Sequence, residues 1–346
     1  MTTRHKPRAI AVALDLERRN VLILLVAGAA ALAAAMGLAD MAGYGRLVDA
    51  VQDVVPSWFA VCFGGEVVAY LGYVLAVRDI ARVDDGPMLS LRLSMRTVVA
   101  GFGVFAATHA AGGFAVDYWT FRRSGLRRPQ AVARVLALGA LEYAVLAPAA
   151  LVCAVVLLFG TGGHVQHAMT YPWFAVVPGF FVALWVSSPK RVERLSDPGS
   201  GGRIRQWFAH VVAGIGNLRS LLTRPRIHGL GVLGVTLYWL GDIACLWAAL
   251  KIYNAELSTP ALVLAYATGY VVTRRSLPAG GAGVVEVLMT FALVWVGVPL
   301  APALLGVVTY RMFNFWLPVI PALAALPAVR RMRQDFRRGE RAFDKR

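Results

Sequence analysis

Residues 274–286 read Arg274-Arg275-Ser276-Leu277-Pro278-Ala279-Gly280-Gly281-Ala282-Gly283-Val284-Val285-Glu286, and they break an apolar region that runs over 260–296. Each apolar half is shorter than the roughly 20 residues a helix needs to cross a hydrocarbon core of about 30 Å. Glycine and proline suit a non-helical turn between two half-helices, so the stretch predicts a hairpin inside a membrane. A second region, 91–121, is broken in the same way at His109-Ala110-Ala111-Gly112-Gly113.

Uninterrupted apolar segments surround these breaks at 21–39, 54–77, 131–159, 171–187, 229–250 and 301–327. The 346 residues are 58% hydrophobic and 16% charged, whereas a soluble domain keeps about a quarter of its residues charged. No polar linker divides the chain. The expectation is an all-α integral membrane protein with about six full transmembrane helices plus two re-entrant broken-helix hairpins arranged as inverted repeats. A single membrane domain covers 21–328, between basic tails at 1–20 and 329–346.

The net charge of +16 comes from 35 Lys+Arg against 19 Asp+Glu. The basic residues sit in short loops and tails beside apolar segments, as the positive-inside rule and anionic headgroups demand. No nucleic-acid motif accompanies them, so nucleic acid is not an expected partner. Cys62, Cys153 and Cys245 are odd in number and lie in apolar stretches, which fits small core residues and not disulfides or metal ligands. The apolar stretch after the basic start is too long for a cleavable signal.

Charge also orients the chain. If both broken regions return to their side of entry, one side carries Arg78, Arg82, Arg92, Arg96, Arg122, Arg123, Arg127, Arg128, the basic loop 190–226 and both termini. The other side carries Asp40, Arg46, Asp49, Asp53, the uncharged loop 160–170, Lys251 and Glu256. This asymmetry predicts cytoplasmic termini in a cell inner membrane. Within the basic loop, Ile204, Trp207, Phe208, Val211, Val212, Ile215 and Leu218 follow helical spacing. They predict an amphipathic helix near 203–222, lying in the membrane interface or capping the bundle.

The order of span, broken hairpin, span occurs twice, near 54–159 and 229–327. Ala76-Val77-Arg78-Asp79-Ile80 resembles Ala248-Ala249-Leu250-Lys251-Ile252, with isoleucines 172 positions apart, and Gly112-Gly113 matches Gly280-Gly281 at 168. The first copy starts on one side and the second on the other. Inverted repeats with broken helices are a transporter architecture, with the substrate site at the repeat interface. Half-helix N-termini at such a site are natural seats for an anionic group.

The run from Leu277 to Glu286, then Gly297-Val298, Tyr310-Arg311 and Phe315-Trp316-Leu317-Pro318, resembles the lysylphosphatidylglycerol synthase transmembrane (flippase-like) family. That domain forms the N-terminal half of multiple peptide resistance factors. The family pattern is Pro-Gly-Gly-x-Gly-x-x-Glu, a Tyr-Arg pair and a Phe-Trp-x-Pro ending. Ala279 intrudes after Pro278, and Asp117 stands where the family commonly has Glu. The resemblance covers roughly 20–330 and implies lipid handling or translocation. The sequence holds no soluble aminoacyl-transferase domain, so synthesis of an aminoacylated lipid is not implied.

Ionisable residues at membrane depth are costly and therefore candidates for function. Arg274 and Arg275, at the tip of the second break, could clamp a lipid phosphate; pairing with Glu286 or Asp242, or a cytoplasmic turn, is the alternative. His109, at the first tip, could meet a headgroup or simply pack. Asp117 and Glu286 follow the breaks and could hold a cationic headgroup or a proton, or act as caps and ion-pair partners. Arg311 is placed about one turn into the last span, near Asn314, and the resemblance implies a binding role for it. Glu66, Glu142 and Asp242 each interrupt a span, as substrate-binding groups or as interhelical hydrogen-bond partners. Gly112, Gly113, Gly280, Gly281 and Gly283 are the hairpin glycines.

His164 and His167 supply two ligands without a third, and Asp79, Asp84 and Asp85 fit ordinary helix caps. No nucleophile motif, P-loop or dinucleotide fingerprint is present, so neither metal nor cofactor is expected. The expected function is translocation of an anionic or zwitterionic, even aminoacylated, phospholipid or a lipid-linked phosphate. A homo-oligomer or a lipid-modifying enzyme is the protein partner to consider. The rival readings are a membrane-embedded enzyme acting on a lipid or polyprenyl phosphate, and a non-transporting scaffold subunit.

Overall fold

The computed structural model describes residues 7–107, 110–160, 167–186, 188, 214–219, 225–271 and 278–321. All regular structure among them is helical. The helices are α1 (Pro7–Ala42), α2 (Tyr44–Gln52), α3 (Ser57–Ala81), α4 (Leu91–Ala107), α5 (Ala110–Arg123), α6 (Arg128–Phe159), α7 (His167–Thr170), α8 (Val176–Val186), α9 (Pro225–Ile252), α10 (Thr259–Tyr266), α11 (Val284–Trp295) and α12 (Leu300–Arg311). A 3-10 turn at Tyr171–Ala175 leads into α8, and another at Pro278–Gly281 precedes α11. π turns continue α10 over Ala267–Val271 and α12 over Met312–Trp316.

Among the described residues five helices are long and apolar enough to cross a membrane: Leu25–Ala42, Ser57–Ala81, Arg128–Phe159, Gly229–Ile252 and Leu300–Pro321. The protein is an all-α, multi-pass membrane protein. The expected segment at 171–187 is the 3-10 turn and the eleven residues of α8. Most of the chain from the end of α8 to residue 213 lies outside the described residues. Of the expected amphipathic helix, 214–219 are described and helical. A Cβ at Gly214 would come within 2.9 Å of Leu136 Cβ on α6, so this turn lies against the bundle.

The bundle is built on α3 and α9, which run antiparallel along most of their length. Gly65 faces Gly241, Gly72 faces Gly234, and a Cβ on any of the four would meet opposing backbone at 2.3–2.6 Å. With Ala69 and Ala76 between them, α3 presents small residues at alternating steps of four and three, the period of one helix face. Lipid tails are as apolar as side chains, so membrane helices associate through close backbone packing of this kind. At one end of the seam the Gly231 N–H donates to Asp79 Oδ2 at 2.7 Å. At the other, the Cys62 thiol donates to the Cys245 carbonyl at 3.5 Å.

Each of these helices is followed by a helical hairpin. In the first, α4 and α5 lie side by side, Thr97 and Thr120 hydroxyls 3.0 Å apart, and Gly113 close enough to α4 that a Cβ would sit 3.3 Å from the Gly101 carbonyl. At about 1.5 Å per residue, the 17 residues of α4 and 14 of α5 fall short of a full crossing. In the second, Gly269 backs onto α11, where a Cβ would meet Met289 Cα at 2.7 Å. The hairpins touch through Phe105 and Gly280, a Cβ at Gly280 lying 3.3 Å from the Phe105 ring. α1 covers the second hairpin, with Ala30 against Gly283 and Gly28 against Trp316.

Candidate functional site

Two polar clusters lie inside the bundle, and helical spacing assembles both. Glu66 and Tyr70 on α3, Tyr238 and Asp242 on α9, Tyr266 and Tyr270 on α10 and its π turn, and Tyr310 and Asn314 on α12 and its π turn are each four residues apart. Residues at i and i+4 share a helix face, so four elements each aim a polar pair inward.

Asp242 is fully buried and is the hub of the first cluster. Its Oδ2 accepts from the Tyr266 hydroxyl at 2.5 Å. Its Oδ1 accepts from the Tyr310 hydroxyl at 2.8 Å and from Asn314 Nδ2 at 2.9 Å. Tyr270 donates to Asn314 Oδ1 at 2.8 Å. Glu66 stands beside this hub, with Asp242, Asn314 and Cys245 as its polar neighbours. Its Oε1 is buried and, among the described residues, has no hydrogen-bond partner. The same is true of the Tyr70 hydroxyl.

These two open polar atoms border a cavity of ≈ 100 Å³ between the first hairpin and the α3–α9 pair. Its wall comprises Glu66, Tyr70 and Tyr73 of α3, Phe102 and Phe105 of α4, Phe114 and Asp117 of α5, with Tyr238, Tyr270 and Asn314 opposite. Gly101 and Gly113 leave room where α4 and α5 meet the space. A void this size holds several waters or a small polar group. Two carboxyl groups and a surround of aromatic faces favour a positively charged occupant.

The second cluster is the glycine signature. Gly280, Gly281 and Gly283 all have positive φ, at 60°, 71° and 87°, a backbone that glycine adopts without strain. The turn they make delivers Glu286 to the start of α11, where its Oε2 accepts the Gly283 N–H at 2.6 Å. Its Oε1 accepts from Arg311 Nε at 2.9 Å. Arg311 Nη2 reaches the Gly280 carbonyl at 3.3 Å, and the guanidinium lies 4.5 Å from the Phe315 ring centroid. Nη1 is buried without a hydrogen-bond partner among the described residues. The half-helix N-terminus expected to seat a ligand anion is occupied by the protein's own carboxylate.

The expected site residues thus divide. Glu66, Asp117 and Asp242 belong to the cavity and its hub, and Glu286 and Arg311 to the capped turn. Glu142 is buried on α6, and its backbone carbonyl accepts from Trp239 Nε1 at 2.9 Å. Gly113 lines the cavity; Gly112 falls in α5. Arg274, Arg275 and His109 lie outside the described residues. Arg311 ends the α-helical part of α12, about three turns from its start at Leu300 and not one. Asp79 serves the α3–α9 seam, and Asp84 lies 3.4 Å from the buried guanidinium of Arg134, which also donates to the Val83 carbonyl.

Tyr70, Tyr238, Tyr266 and Tyr270 belong to the cavity and its hub, and the sequence reading does not single them out. The signal for them is the step of four from an ionisable residue or from another tyrosine within an apolar helix. Arg134 offers no comparable signal, because it sits among the basic residues that begin α6.

No curated protein matches this chain. A family model described as the lysylphosphatidylglycerol synthase TM region matches residues 20–322. The match spans both hairpins, the α3–α9 pair, the cavity and the capped glycine turn. The chain belongs to the lysylphosphatidylglycerol synthase transmembrane-region family.

Proposed function

We propose that the protein moves a phospholipid between leaflets of a cell inner membrane, its headgroup passing through the cavity between the first hairpin and the α3–α9 pair. The observation that carries this reading is the cavity itself. It is a small, mostly apolar chamber inside the helical bundle, with Glu66 and Asp117 in a largely aromatic wall. A headgroup bearing an ammonium, whether zwitterionic or aminoacylated, meets carboxylates and ring faces there. This narrows the range of lipids: a purely anionic phosphate headgroup meets two acidic groups in that wall. The recurrence of span, hairpin, span about the antiparallel α3–α9 seam supports an inverted-repeat transporter, in which rocking of the two halves changes the exposed leaflet. The basic loops and tails favour cytoplasmic termini.

The test is leaflet exchange of tagged phosphatidylethanolamine, aminoacylated phosphatidylglycerol and phosphatidylglycerol in liposomes holding the purified protein. Exchange of the ammonium-bearing lipids should exceed that of phosphatidylglycerol and fall in Asp117→Asn and Phe102→Ala. Exchange equal to that of protein-free liposomes for all three lipids would reject transport. Equal exchange in wild type and both variants would remove the cavity from the pathway.

A further inference from the structure

The cavity holds a feature that binding of a headgroup alone does not require. Glu66 is buried within the span of α3, 6% exposed, and the groups it meets are Asp242, Cys245 and Asn314, with Tyr70 one turn along its own helix. None is a cation. The buried Arg311 is engaged by Glu286. Asp242, by contrast, is built to stay ionised, with three donors converging on its two oxygens. Two neighbouring carboxyl groups in low-dielectric surroundings do not both carry charge. The proton therefore belongs on Glu66, which donates toward Asp242 and leaves its other oxygen facing the cavity.

Resting on the transport reading above, we infer that Glu66 is a proton-binding site whose proton exchanges for the positively charged group of the lipid headgroup. When the cavity holds no cation, Glu66 is a neutral acid hydrogen-bonded to Asp242. When an ammonium enters, its charge replaces the proton, Glu66 becomes the carboxylate that binds it, and the proton leaves through the cavity water. Charge in the chamber is the same before and after, so the carrier crosses between its two states equally well with either occupant. A pH difference across the membrane then drives net movement of the lipid against proton flow. The other titratable groups in the described wall are Tyr70 and Tyr73 from α3, Asp117 from α5, Tyr238 from α9 and Tyr270 from the π turn after α10; behind it Glu66 neighbours Asp242 and Cys245 of α9, with Tyr310 of α12 on Asp242. Of these only Asp117 shares the wall with Glu66 as a carboxyl, which makes Asp117→Asn the control.

Two measurements test this separately from transport. Infrared spectra of the wild-type protein should contain the C=O stretch of a protonated carboxylic acid that is absent in Glu66→Gln, remains in Asp117→Asn, and disappears when phosphatidylethanolamine is added. A spectrum without that band, or with a band that the lipid leaves unchanged, overturns the exchange even if Glu66→Gln fails to fold, because the wild-type spectrum alone decides it. In liposomes, an imposed pH difference should drive tagged phosphatidylethanolamine into one leaflet, and the accumulation should fall to the no-gradient level when the gradient is collapsed. Exchange that is equal with and without the gradient overturns proton coupling and leaves the transport reading standing. Exchange absent under every condition overturns the transport reading itself, while the infrared band still decides the state of Glu66.

Discussion

Arg311 and Glu286 stand 25 positions apart in the chain and 2.9 Å apart in the fold, Nε to Oε1, with both side chains almost wholly shielded. Glu286 at the same time accepts the N–H of Gly283, so one carboxylate closes the glycine turn, caps α11 and ties it to α12. A buried pair of this kind is a poor source of net stability but a costly thing to break, because the remaining partner is left charged and unpaired.

Glu286→Gln, which keeps the shape, should therefore lower stability by about 3–5 kcal/mol. Thermal unfolding in detergent measures it. Glu286→Gln combined with Arg311→Met should be less damaging than the sum of the single changes. Additive losses would show that the two side chains act separately.

The Asp242 hub makes a second prediction. Tyr310→Phe and Tyr266→Phe each delete one donor to a buried carboxylate, a loss of about 1.5–3 kcal/mol for a bond to a charged group. The two changes share an acceptor, so their combination should depart from additivity by at least about 0.5 kcal/mol. An unchanged melting temperature in both single variants would mean that the hydroxyls do not hold Asp242.

The seam between α3 and α9 should be intolerant at one glycine and indifferent at another. A Cβ at Gly72 would lie 2.5 Å from the Gly234 carbonyl, whereas one at Gly64 meets nothing within 4 Å. Gly72→Ala should cost about 1–3 kcal/mol by forcing the helices apart, and Gly64→Ala should be neutral or slightly stabilising through helix propensity. Equal melting temperatures for the two variants would refute the close packing.

Beyond the end of α9, Glu256 accepts from Lys251 Nζ, in the last turn of that helix, at 2.8 Å. That hydrogen bond, and then the ammonium charge, hold the Glu256 carboxyl below its ordinary range. A depressed carboxyl contributes stability above its unfolded value and loses it as pH falls through the lower folded one. Glu256 is fully exposed, so the contribution is small and screened by salt. A carbon-detected titration of Glu256 should move upward toward the ordinary carboxylate value in Lys251→Gln and in high salt. A titration unmoved by either change would show that the pair does not persist in solution.

Much of this architecture is legible without coordinates. A helix crossing hydrocarbon must satisfy its backbone internally and needs a long apolar run, so composition and segment length mark the spans. The glycine run at Gly280-Gly281 marks a break because it relieves the backbone ahead of α11, whereas Gly112-Gly113 lie within α5 and Gly113 packs that helix against α4. The Glu286 and Arg311 signature is legible as a pattern, but not as a contact, since nothing in a spacing of 25 residues says which face of α12 meets the turn.

The amino-acid sequence by itself determined that this chain lives in a membrane, where its long apolar helices run, and the family to which it belongs. Those properties depend on hydrophobicity and backbone freedom, which each segment carries alone. Only the tertiary structure decided what the buried charges do. It gave Glu286 to its own helix cap and to Arg311, surrounded Asp242 with three donors, and left Glu66 beside Asp242 at the cavity wall with no cation among its described neighbours. The charge state and role of a buried ionisable group are set by neighbours from other helices at distances of a few ångströms, and no local run of sequence contains those neighbours.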